Sequence, residues 1–116
     1  MHPSLTEFFL HIRDEIQFCL KNTDDINFED FQNDEVLSRA VVRSLEIIGE
    51  ASKKIPPDFK SQFPLIPWKE ISGMRDRLIH HYFGVDLEIV WHTIKEDLPS
   101  LNEWMDILIN SSKTYG

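Results

Sequence analysis

Apolar side chains recur at helical spacing along most of the chain, and no stretch has the alternation of a half-buried strand. Leu5, Phe8, Phe9, Ile12, Ile16, Cys19 and Leu20 share one face and predict a first helix over roughly 4–21, opened by the capping-box pair Ser4 and Glu7. The acidic stretch NTDDINFEDFQND is turn-rich, but Ile26, Phe28 and Phe31 can tuck back onto a core, so an ordered loop is expected. From about Asp34 to Ile55, Val36, Leu37, Ala40, Val41, Leu45, Ile48 and Ala51 define a long amphipathic helix that Pro56 and Pro57 end. The connection PPDFKSQFPLIP resists helix until Pro67, whose fixed φ suits a first turn. Trp68, Ile71, Met74 and Leu78 then face a core in a third helix that Gly84 stops. Asp86 caps a fourth helix with Leu87, Val90, Trp91, Ile94 and Leu98, which Pro99 breaks or kinks before Leu101, Trp104, Met105, Leu108 and Ile109. The expected fold is all-α, a compact bundle of four main helices plus a short or broken C-terminal one.

With 116 residues the chain is expected to form a single domain over 1–116. A hydrophobic share of 41% against 28% charged residues excludes the composition of a disordered chain. The opening apolar cluster is interrupted by His11, Arg13 and Asp14 before it reaches the length of a signal-peptide core or a membrane span, so a cytoplasmic protein with no membrane partner is expected. The single cysteine, Cys19, lies between Phe18 and Leu20, which excludes an internal disulfide and a thiolate metal cluster and points to a structural role.

A formal net charge of −8 repels a polyanion at long range and by itself argues against a nuclease. The distribution of charge weakens that objection. Lys53, Lys54, Lys69, Arg75, Arg77, His80 and His81 gather in the middle third, so a locally positive site on an acidic protein is compatible with the pattern. The acidic remainder would suit a partner with a basic docking face.

Chemistry concentrates in GMRDRLIHHYFG, where Arg75, Asp76, Arg77, His80, His81 and Tyr82 fall within a few positions. A solvated polar face with Tyr82 partly in the core accounts for the same pattern, and periodicity alone does not choose between the two. On a continuous helix Asp76 and His80, four apart, would meet, and the carboxylate could orient the imidazole. Arg75 and His80, five apart, would stand about 140° from each other, so a site composed across two subunits is the natural solution.

The run RDRLIHHY, an Arg, four residues, a His, one residue and a Tyr, resembles the signature of HepT-like proteins in the HEPN superfamily. Its surroundings are similar too: EIIGEASKKIP ending the long helix, PWKEISGMRDRLIHHYFGVD after a proline-bearing loop, and DLP later in the chain, so the resemblance covers nearly the whole sequence. What it implies is a metal-independent, homodimeric ribonuclease toxin without a cofactor, in which the Arg and His of two protomers meet in a cleft. It further implies a cognate nucleotidyltransferase antitoxin that adenylylates the motif tyrosine. Carried onto this chain, Arg75 and His80 are the catalytic pair, Tyr82 the AMP acceptor and Asp76 an accessory polar group, while His81 inherits no role.

The residue types suit the chemistry independently. RNA supplies its own nucleophile, the 2′-hydroxyl, so the protein needs a proton-transfer group such as His80 and a cation such as Arg75 for the crowded phosphorane. The planar guanidinium matches two phosphate oxygens, which an ammonium does not. AMP on Tyr82 would add negative charge to the cleft and oppose RNA. Two other classes stay open from sequence: a non-catalytic helical subunit that its transferase modifies, and a plain interaction module. A metal hydrolase is disfavoured because the histidines form no HExxH arrangement, and a phosphate loop because glycine is scarce.

Overall fold

The computed structural model describes residues 4–80 and 84–115, with the backbone alone at 79 and 80. It is an all-α protein, as the hydrophobic pattern requires. Helix α1 (Leu5–Thr23) starts at Ser4, whose hydroxyl accepts the Glu7 N–H, and buries Phe9, Ile12, Ile16 and Cys19 along one stripe. It packs against α3 (Glu35–Ser52), capped by the Asp34 side chain, and against α8 (Leu98–Ser112). From these helices Leu45, Ile48, Leu101, Met105 and Leu108 complete the core around it. Thr6 and Ser112 share a hydroxyl hydrogen bond of 2.9 Å where α1 and α8 meet.

Two stretches expected as loops contain short helices. In α2 (Phe28–Asn33) Asn27 and Asp30 form a reciprocal capping box, and Phe31 is buried with its ring 5.3 Å from that of Trp91. In α4 (Pro57–Lys60) Pro57 occupies the start, where its missing N–H costs nothing, and Phe59 stacks on Phe9, Phe63 and Tyr115.

The expected third helix is divided. Trp68–Ser72 forms α5, Gly73 ends it by donating its N–H to Lys69 O, and Met74–Leu78 forms α6. The helix does not continue to Gly84. Ile79–His80 is extended (β1) and pairs antiparallel with Gly84–Val85 (β2), with Ile79 opposite Val85 and His80 opposite Gly84; Asp86 N–H closes the end onto Leu78 O at 2.9 Å. Two β-branched residues on one rung favour that ladder over helix, and Gly84 takes φ +82°, a backbone conformation that disfavours any side chain.

After Asp86, whose carboxylate accepts the N–H groups of Glu88 and Ile89, α7 (Leu87–His92) passes through a π-helical turn, Thr93–Asp97, directly into α8. Pro99 therefore does not break the helix. Its ring nitrogen cannot donate to Lys95 O, and the register relaxes so that Leu98 N–H reaches Thr93 O five residues back. Lys95, on that turn, donates to Thr23 O at 2.8 Å and lies over the Trp91 ring, tying the turn to the end of α1. No helix of the described residues is long and apolar enough to cross a membrane.

Candidate functional site

On α6, Met74 and Leu78 are buried four apart and seat the short helix on the core, which turns Arg75, Asp76 and Arg77 outward. The Arg75 Nε lies 3.4 Å from Glu46 Oε2 of α3, with Arg75 about half exposed and Glu46 24% exposed. Arg77 leads elsewhere: its Nη2 reaches Glu70 O, and it lines a separate cleft of about 310 Å³ with Met74, Leu98 and Trp104.

A groove of about 470 Å³ runs between α3 and the start of α7, lined by Ser38, Arg39, Val42, Glu46, Val85 and Leu87. One wall thus carries the partner of Arg75, and the other carries the strand that pairs with His80. Arg39 in this wall is held by Glu35 at 2.8 Å.

Of the residues predicted from sequence, Arg75 and Asp76 are on α6 and exposed, and His80 is fixed by its backbone in β1. Tyr82 and His81 lie outside the described residues. The expectation that Asp76 orients His80 across one helical turn is corrected, because α6 ends at Leu78 and the i,i+4 relationship does not reach an extended residue. The same change removes the 140° separation of Arg75 and His80, since no helix connects them. Sequence reasoning gave Glu46 no role. The signal available was an acid set within LEIIGEAS, one turn before Gly49, where apolar and small residues otherwise dominate.

The other reactive side chains are held in inert settings. Burial raises the Cys19 thiol to about 12, with a Ser44 hydrogen bond acting against that rise, so a structural cysteine fits. The Tyr115 Oη donates to both carboxylate oxygens of Asp58 at 2.8 Å, and that hydrogen bond raises its pKa.

Residues 12–107 match the model of the ribonuclease HepT-like family. The chain belongs to the HepT-like ribonucleases. It is 52% identical over 101 residues to a Thermococcus cleftensis protein assigned by name as a ribonuclease HepT, covering 87% of this chain and 92% of that one. A Caldanaerobacter subterraneus subsp. tengcongensis protein assigned by name as an RNase is 48% identical over 103 residues, covering 89% and 92%. A Methanocaldococcus jannaschii protein with a similar assignment is 42% identical over 101 residues, covering 87% and 93%. No solved structure gives a significant match. Membership of this HepT-like family makes the chain an RNA-cleaving enzyme, and the RDRLIHHY segment falls inside the matched region.

Proposed function

We propose that this HepT-like ribonuclease is the toxin of a toxin-antitoxin pair and cuts RNA without a metal, through Arg75 and His80 in a cleft between two copies of the chain. The observation that carries the reading is the placement of an outward, half-exposed Arg75 beside the groove whose far wall is the strand paired with His80. In the step, the 2′-oxygen forms a bond to phosphorus while the bond to the 5′-oxygen breaks, leaving a 2′,3′-cyclic phosphate and a 5′-hydroxyl. His80 moves the proton between the two oxygens, and the Arg75 guanidinium stabilises charge on the non-bridging oxygens. Asp76, exposed beside Arg75, is the accessory polar group at the rim.

The second copy is supported by the groove itself. Val85, exposed, together with Val42 and Leu87 gives the α3–β2 groove an apolar element that a partner would cover. The antitoxin would be a nucleotidyltransferase that places AMP on Tyr82, adding phosphate charge that competes with RNA for Arg75. The deciding experiment incubates unmodified protein with RNA in excess EDTA, beside the same RNA carrying a 2′-deoxy residue at the scissile position. Cleavage of the first with a cyclic phosphate end, and none of the second, is expected. Loss of cleavage in EDTA restored by a divalent ion, or equal cutting of both substrates, would overturn the mechanism.

A further inference from the structure

The ion pair at Arg75 is made at Nε, 3.4 Å from Glu46 Oε2, and among the described residues no other partner of the guanidinium is found. We propose that Glu46 is a positioning residue for Arg75, pinning the guanidinium by Nε so that its two Nη groups are kept for the RNA phosphate. This rests on the reading of Arg75 as the phosphate ligand given above.

The carboxylate is itself held in place by close helix packing. A Cβ on Gly49 would stand 3.2 Å from Ile71 O and 3.5 Å from Ser72 O, so any side chain there would press the end of α5 away by a few tenths of an ångström. One turn further, Ser52 and Ser72 hydroxyls bond at 3.0 Å, fixing the same crossing. Glu46 lies one turn before Gly49, and Arg75 follows Ser72 after Gly73 and Met74, so the close crossing at Gly49 sets the separation of carboxylate and guanidinium. An unpinned arginine side chain samples many rotamers, and each is lost on meeting the transition state. The carboxylate removes that freedom in advance, at the expense of repelling the approaching phosphate.

That trade predicts a split between kcat and KM. Glu46→Met keeps length and packing but removes the carboxylate beside Nε, and it should lower kcat about tenfold or more with a lower KM. Glu46→Gln restores a neutral polar group beside Nε and should recover most of kcat while keeping the lower KM. In an Arg75→Ala background, followed by single-turnover cleavage at high enzyme, Glu46→Met should change nothing further. Wild-type kcat in Glu46→Met, or the same kcat loss with and without Arg75, would overturn the positioning role while leaving Arg75 in the site. Full cleavage by Arg75→Ala alone would instead remove the reading on which the inference rests.

Discussion

His80 stands opposite Gly84 across a two-rung antiparallel ladder, so the position of the proposed proton-transfer residue is set by a glycine four residues later and not by a helix. Because Gly84 has φ +82° and a Cβ added there would meet nothing within 4 Å, Gly84→Ala tests backbone conformation alone. The substitution should cost about 1–2 kcal/mol and reduce cleavage by displacing β1. Thermal unfolding and RNA turnover measure the two effects, and an alanine enzyme with wild-type melting and turnover would show that the ladder is not needed.

A cleft shared by two copies gives a complementation result that a self-contained site does not. Arg75→Ala and His80→Ala should each lower cleavage by about 10²-fold. Mixed under conditions of subunit exchange, the two inactive proteins form heterodimers in which one composite site pairs an intact arginine with an intact histidine. Recovery to about half of wild type per heterodimer is expected from two-fold symmetry. No recovery, with exchange verified by mass, would place both groups within one protomer.

Tyr82 and Tyr115 are the two tyrosines of the chain, and the second is already engaged by Asp58, which makes its phenol harder to ionise. Tyr82→Phe is therefore expected to cut RNA yet gain no AMP from a cognate nucleotidyltransferase with ATP and magnesium, whereas Tyr115→Phe should be modified like wild type. Intact mass reads the outcome. A full mass gain on Tyr82→Phe would refute the assignment.

Cys19 supplies a pH dependence whose sign follows from burial. Its folded-state pKa is raised from 9.0 to about 12, so the neutral thiol is favoured by folding. That contribution is fully present below pH 9.0 and is lost as pH rises towards about 12. Melting temperature should fall across this window, and more gently in Cys19→Ala. Equal slopes for the two proteins would show that ionisation of the thiol is not coupled to folding.

Gly49→Ala should act on the site through packing. Alanine gains helix propensity of up to about 1 kcal/mol, but its Cβ would meet the Ile71 carbonyl at 3.2 Å, a backbone atom that cannot rotate away. The expected result is reduced kcat from a widened α3–α5 crossing, and unchanged kcat with higher stability would show that the crossing yields without cost to Arg75.

The all-α class, the four main helical stretches and the RDRLIHHY cluster were legible in the sequence, because hydrophobic spacing and capping residues are local signals: Ser4 and Asp86 cap as their positions suggest. Local signals also misled where competing states differ little over a few residues. The sequence from Arg75 to Gly84 continues a helical pattern, yet α6 ends at Leu78, and Ile79–His80 instead pairs with Gly84–Val85, where Gly84 takes a positive φ. At Pro99 the chain had a choice between a break and a change of register, and the burial of Ile94, Leu98 and Leu101 on one continuous surface chose the register change. The Glu46–Arg75 pair lay beyond local reach altogether. It depends on two helices meeting at Gly49, and a contact between residues so far apart in sequence exists only once the core has determined which helices cross and how closely.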